Sequence, residues 1–156
     1  MAELKVGQKA PGFSLLDQQG KAVKLSDYKG QRVLVYFYPK ADTPGCTKQA
    51  CSLRDHRQEL TALGVAVIGI SPDAPEAQRK FDEKYGLGFP LLSDPDHTAA
   101  EAYGVWGEKS MYGRKFMGIT RSSFLVNGAG VLTHVWYKIS PEQTAPEAQR
   151  ALAAAD

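Results

Sequence analysis

Val33-Leu-Val-Tyr-Phe-Tyr38-Pro-Lys-Ala-Asp-Thr43-Pro-Gly-Cys46-Thr-Lys-Gln-Ala-Cys51 changes character twice within one short stretch. Its first six residues are continuously apolar, β-branched or aromatic, the composition of a central strand covered on both faces. Pro39 ends that run. Thr43 followed by Pro44 then signals a helix start, with a favourable N-cap residue and a proline at the first helical position, so Gly45 and Cys46 fall at the second and third positions. In that first turn the N–H groups lack intrahelical acceptors, and together with the helix dipole they stabilise an anion at or near the Cys46 sulfur. Thiolate is the reactive form of cysteine. Gly45 carries no side chain to obstruct a small oxidant approaching those amides.

Working outward, Ala50, Leu53, Leu60 and Leu63 recur at mostly helical spacing, and Gly64 supplies a stop, which predicts one helix over 44–63. Residues 65–70 read as a second buried strand, 75–85 as a helix closed by Gly86, 89–93 as a short strand and 98–103 as another helix. Upstream, two alternating pieces within 13–25 flank a Gln19-Gly20 turn and predict a small hairpin, followed by a loop over 26–30. Downstream, 104–120 reads as a loop, and 123–126 and 131–137 flank Asn127-Gly-Ala-Gly130 as a hairpin. The Ala-rich tail, 144–156, predicts a short helix packed on the surface. Alternating β and α units with a terminal hairpin give an α/β chain of one domain, 1–156. Its expected architecture is a thioredoxin-like fold with a mixed central sheet, helices on both faces and an N-terminal hairpin.

Length and composition narrow the function. The 156 residues are 43% hydrophobic and 23% charged, enough for one well-packed core and far from disordered or fibrous classes. A net charge of +2 with dispersed basic residues argues against a nucleic-acid surface, which would carry a basic stripe. The opening residues lack the features of a secretory signal, and no apolar run approaches the roughly 20 residues that span a bilayer. A cytoplasmic location without membrane attachment is the expectation. In a reducing compartment Cys46 and Cys51, the only cysteines, are more readily catalytic or metal-binding than a structural staple.

Helix geometry tests the pair. Five residues rise about 7.5 Å and turn about 140°, which puts the Cα atoms roughly 8 to 9 Å apart. A disulfide needs less than about 7 Å, so the pair can join only if the helix unwinds locally. Four other readings remain open on spacing alone. Both cysteines could be small buried hydrophobes. They could join His56 in a metal site, although the spacing suits no common zinc motif. They could also serve a thiol–disulfide oxidoreductase, which usually uses Cys-x-x-Cys, or a redox-switch binding protein. His56, His97 and His134 are isolated along the chain and support no Cys/His nucleophile pairing.

The segment from Pro39 to Cys46 matches the Pro-x-x-x-Thr-x-x-Cys motif of the peroxiredoxins. With Cys51 five positions on, Ser110-Met-Tyr-Gly-Arg-Lys-Phe-Met-Gly-Ile-Thr-Arg121, and Ser123-Phe-Leu-Val126, the chain resembles the bacterioferritin comigratory protein (PrxQ) subfamily over nearly its whole length. The resemblance implies a thiol peroxidase that needs no cofactor or metal. Cys46 would be the peroxidatic cysteine, oxidised to sulfenic acid, and Cys51 the resolving one, closing an intramolecular disulfide that thioredoxin or a similar dithiol reduces. It also implies that Thr43, Gly45 and Arg121 bind the peroxide with Cys46, that Pro39 shields the site from water, and that the protein is a monomer. Gln49 departs from the glutamate of many relatives with this cysteine spacing. Arg54 and Asp55 read as helix-face charges. Trp106 and Tyr112 would either shape peroxide access or pack on the surface.

Overall fold

The computed structural model describes residues 3–153. In chain order the strands are β1 (Ser14–Leu16), β2 (Ala22–Lys24), β3 (Arg32–Phe37), β4 (Val65–Ser71), β5 (Leu91–Ser93), β6 (Trp106–Met111), β7 (Arg114–Ile119), β8 (Ser122–Val126) and β9 (Leu132–Trp136). The helices are α1 (Pro44–Asp55), α2 (Arg57–Ala62), α3 (Pro75–Tyr85), α4 (Thr98–Ala102) and α5 (Thr144–Ala153). Seven strands form one sheet in the order β2-β1-β5-β4-β3-β8-β9, while β6 and β7 pair separately. β3, β4 and β5 run parallel, and β8 returns antiparallel along the other side of β3.

β3 is central because its side chains feed two cores. Leu34, Tyr36 and Tyr38 face one cluster with Cys46, Ala50 and Leu53 of α1, Phe81 of α3, and Ala145, Ala148 and Leu152 of α5. Val33, Val35 and Phe37 face the other, with Ala99 and Ala100 of α4, Tyr103 and Phe124. The period-two alternation of a strand therefore builds both faces from one apolar run. Mixed sheet, helices on both faces and N-terminal hairpin are all as expected. In that hairpin Asp17 Oδ1 accepts the amides of Gln19 and Lys21, each at 2.9 Å.

Four details differ. The helix expected over 44–63 is two, broken at His56 (φ −98°, ψ 4°), whose Nδ1 lies 2.7 Å from the Ser52 carbonyl. No glycine or proline announces that break, and past it Leu63 is 41% exposed instead of facing the core. Residues 26–30 are not all loop, since a 3-10 turn spans Leu25–Tyr28. The segment 104–120 is not a loop but the β6–β7 hairpin, turned at Tyr112 (φ 54°) and Gly113 (φ 78°). Tyrosine is an unusual occupant of that left-handed position, so the turn carried no Asn-Gly signal. Finally, α5 is a helix packed at the surface as expected, but more deeply seated than its Ala-rich sequence suggests: Thr144, Ala145, Ala148 and Leu152 are buried in the core shared with α1 and the sheet, while Arg150 and Ala153 are exposed. The last three residues of the expected tail helix, 154–156, lie outside the described residues.

Gly69 of β4 provides a packing test. A Cβ there would meet the Tyr36 ring at 2.9 Å, whereas one at Gly107 would meet nothing within 4 Å. Gly69→Ala should lower stability by about 1 to 3 kcal/mol through overpacking. Urea unfolding checks this, with Gly107→Ala expected to move the midpoint little.

Candidate active site

The site forms where β3 hands the chain to α1. Tyr38 extends the β3 ladder by one bond, its amide donating to Ile70 O at 3.0 Å, and the following loop is then fixed from two sides. The Ala41 amide donates to Asp73 Oδ2 at 2.7 Å. Asp42 takes the left-handed conformation (φ 58°), and its carboxylate accepts from the Tyr85 hydroxyl at 2.7 Å and the Lys84 ammonium at 2.9 Å. Those two hydrogen bonds hold the Asp42 carboxyl below its ordinary range. α3 thus anchors the loop that aims α1.

Thr43 sits at the N-cap and Pro44 opens the helix, as expected. The Thr43 hydroxyl, however, does not cap the helix; it donates to Lys40 O at 2.9 Å. With its proton so engaged, its oxygen lone pairs remain as acceptors. Cys46 follows in the first turn and is 1% exposed. The Arg121 Nη2 donates to Cys46 Sγ at 3.3 Å, although the two residues are far apart in sequence. Two sources of positive potential, the helix terminus and a guanidinium, therefore converge on one buried sulfur.

Arg121 is itself held. Its Nη1 donates to Gln49 Oε1 at 2.6 Å, and Gln49 Nε2 donates to Thr144 Oγ1 at 2.8 Å, whose hydroxyl donates to Ser140 O at 3.1 Å. Gln49 and Thr144 are buried, and the Gln49 oxygen, the Gln49 nitrogen and the Thr144 hydroxyl each have a partner. Arginine only donates, which fixes the Gln49 oxygen toward it and the Gln49 nitrogen toward Thr144. A neutral amide here orients the guanidinium without neutralising it. Gly45 makes room for that placement, since a Cβ would lie 3.2 Å from Arg121 Nη2 and 3.6 Å from Pro141. Half-buried Lys109, whose Nζ donates to Ile119 O at 2.8 Å, adds a further cation. Burial and the Arg121 charge push its ammonium below the ordinary range, while Cys46 opposes that shift.

The fold therefore brings Thr43, Gly45, Cys46 and Arg121 together, with Pro39 half-buried at the β3 end of the loop. Cys51 is free, half-buried on the same helix and packed against the same core cluster as Cys46. Both lie within unbroken α1, so the helical estimate of their separation applies. Gln49 matters more than its departure from a family pattern suggested. Thr144 and Lys109 carried no signal beyond being polar residues in an Ala-rich tail and an apparent loop. Tyr112 is 98% exposed at a hairpin tip, and Trp106 stacks on His97 with ring centroids 3.6 Å apart. Arg54 donates to Tyr85 O at 2.6 Å and pins the end of α1 to α3. Among the described residues no group of three or more His, Cys, Asp or Glu side chains could hold a metal ion, and His56 is engaged by Ser52.

Gln49→Glu would present a carboxylate to Arg121 and remove the donor facing Thr144. In a Cys51→Ser background the alkylation rate of Cys46 by iodoacetamide should fall about tenfold, equivalent to about 1.4 kcal/mol. Gly45→Ala should act in the same direction by displacing Arg121.

The chain matches the AhpC/TSA family over residues 6–135. It is 58% identical over 138 residues to a putative peroxiredoxin bcp of Haemophilus influenzae, covering 88% of this chain and 89% of that protein. It is 57% identical over 136 residues to peroxiredoxin Bcp of Escherichia coli, covering 87% of each. Among solved structures, trapped intermediate and ligand complexes of Xanthomonas campestris bacterioferritin comigratory protein, described in terms of alkyl peroxide reduction, superpose with a TM-score of 0.86. That match has 33% identity and covers 91% of this chain and 90% of the other. No described helix is long and apolar enough to cross a membrane. A first-turn cysteine under an arginine, on a thioredoxin-like sheet and in a sequence this close to the Bcp proteins, makes the chain a member of the AhpC/TSA family: a peroxiredoxin of the Bcp/PrxQ group, a thiol-dependent peroxidase.

Proposed function

We propose that Cys46 is the peroxidatic and Cys51 the resolving cysteine of a peroxidase acting on hydrogen peroxide and organic hydroperoxides. One observation carries the assignment: a guanidinium and a helix terminus converge on the buried Cys46 sulfur, while the second free thiol lies further along the same helix. The Cys46 thiolate attacks the nearer peroxide oxygen, the O–O bond breaks, and the departing oxygen takes a proton to leave as water or alcohol. Cys46 becomes sulfenic acid. The Arg121 guanidinium, aligned by Gln49, stabilises the thiolate before attack and the charge growing on the leaving oxygen during it. The Thr43 oxygen accepts the peroxide O–H, and the Gly45 and Cys46 amides donate to the peroxide. Pro39 limits water at the reacting sulfur.

The Cys51 thiolate then attacks the sulfenic sulfur, expelling hydroxide that leaves as water, and an S–S bond forms. Because about 8 to 9 Å separates the two Cα atoms in regular helix, this step requires the first turns of α1 to unwind. A thioredoxin-like dithiol reduces the disulfide and is itself oxidised. The intramolecular partner makes a second subunit unnecessary, so a cytoplasmic monomer suffices.

Stopped-flow peroxide oxidation with sulfenic acid trapped at Cys46 tests the assignment. Cys46→Ser should lose at least about 10³-fold in peroxide consumption. Cys51→Ser should keep the first oxidation within about twofold and stall after one turnover with a thioredoxin-type reductant. Turnover retained by Cys46→Ser would overturn it.

A further inference from the structure

The sheet beneath α1 contains polar groups that the site does not use. Tyr36 is registered opposite Ser123 of β8 on one side and Gly69 of β4 on the other, and directly opposed residues share a sheet face. That face is the one α1 covers, since Tyr36 belongs to the cluster containing Cys46, Ala50 and Leu53. Tyr36 and Ser123 are both fully buried, and neither the Tyr36 hydroxyl nor the Ser123 hydroxyl has a hydrogen-bond partner among the described residues. The Tyr36 ring lies over Gly69, stacks on Tyr38 at 5.5 Å and meets the edge of Phe89 at 6.2 Å, so its position is fixed by packing. The contrast with Tyr38 is local. That hydroxyl, two residues along the same face, donates to Gln78 at 2.5 Å.

A buried hydroxyl without a partner disfavours the state that buries it, by a factor from about five to about 150 per group. Cys46 of the first turn of α1 packs in the same buried cluster as Tyr36, so unwinding that turn would remove part of its cover. Burial drives the Tyr36 phenol well above its ordinary range, and both Cys46 and Cys51 contribute to that shift, consistent with its place beneath the two thiols. We infer that Tyr36, seconded by Ser123, is a positioning residue for the resolving step: its unsatisfied hydroxyl biases α1 toward the unwound form in which Cys51 reaches the Cys46 sulfur. The inference rests on the assignment of Cys46 and Cys51 above. It gives the orphaned hydroxyls a consequence at a branch in the chemistry. Sulfenic acid either loses water to a disulfide or, while the helix stays closed, takes an oxygen from a second peroxide to become sulfinic acid.

Tyr36→Phe removes the hydroxyl and keeps the ring. Rapid-quench mass spectrometry with hydrogen peroxide should show Cys46 oxidation within twofold of wild type and disulfide formation five- to tenfold slower. The peroxide concentration giving half sulfinic acid should fall by the same factor. Ser123→Ala should shift both readouts in the same direction and serves if the tyrosine variant fails to fold. Tyr38→Phe, which removes a partnered hydroxyl, should lower the urea midpoint without slowing disulfide formation. Unchanged partition between disulfide and sulfinic acid, in a folded variant whose Cys46 oxidises at the normal rate, overturns the inference alone. Absence of sulfenic acid at Cys46 in the wild-type protein overturns the assignment beneath it as well.

Discussion

The contact between Arg121 and Cys46 is the constraint around which the rest of the molecule is arranged. A thiolate buried to 1% exposure would be strongly disfavoured without compensating charge, and here the compensation comes from two directions. The helix terminus is supplied by the local sequence at Thr43-Pro44. The guanidinium has to be delivered from the start of β8, which is possible because β8 lies antiparallel beside β3 and its first residue is registered with the last of that strand. Placement of the sulfur is thus a consequence of sheet order, and placement of the charge a consequence of which strand neighbours β3.

Holding the guanidinium needs a further long-range element. Gln49 projects from α1 to Arg121 on one side and Thr144 on the other, so the C-terminal helix is tied to the Cys46 sulfur through an unbroken run of hydrogen bonds. The same arrangement creates a tension. Every contact that fixes Arg121 on Cys46 also favours an intact α1, whereas a disulfide to Cys51 requires that helix to open. The Arg54 tether to Tyr85 and the bonds at Asp42 restrain the two ends of the segment, so opening the turns between them breaks the contacts of Cys46 and Gln49 with Arg121. In this account, reactivity toward the first peroxide and speed of resolution are opposed properties of one helix.

Much of the fold was legible because local rules governed it. The apolar run at 33–38, the Thr-Pro helix start, the left-handed Gly86 and the Asn127 turn each announce themselves within a few residues. The Pro39–Cys46 motif singles out Thr43 and Cys46, and the cysteine five positions on and the Ser110–Arg121 segment add Cys51 and Arg121, of which the fold brings Arg121 onto Cys46. Gln49 was noticed, but its partner was not, because Thr144 lies 95 residues away and only the folded chain brings them together. The β6–β7 hairpin was missed for a different reason. Its turn is built on Tyr112 and its strands are largely exposed, so neither turn chemistry nor hydrophobic alternation marked it. At the His56 break a side chain meets the Ser52 carbonyl of its own helix, and in α5 tertiary packing of small alanines into the core overrides the pattern of the segment.

The proposed mechanism has one helix alternate between a closed form that reacts with peroxide and an opened form that joins Cys46 to Cys51. Amide hydrogen exchange across residues 44–55, compared between the fully reduced protein and the disulfide form, tests it most directly. Strong protection is expected in the reduced protein and loss of protection centred on residues 44–51 in the disulfide form, with β3 and β4 unchanged. Equal protection of that segment in both redox states would contradict it.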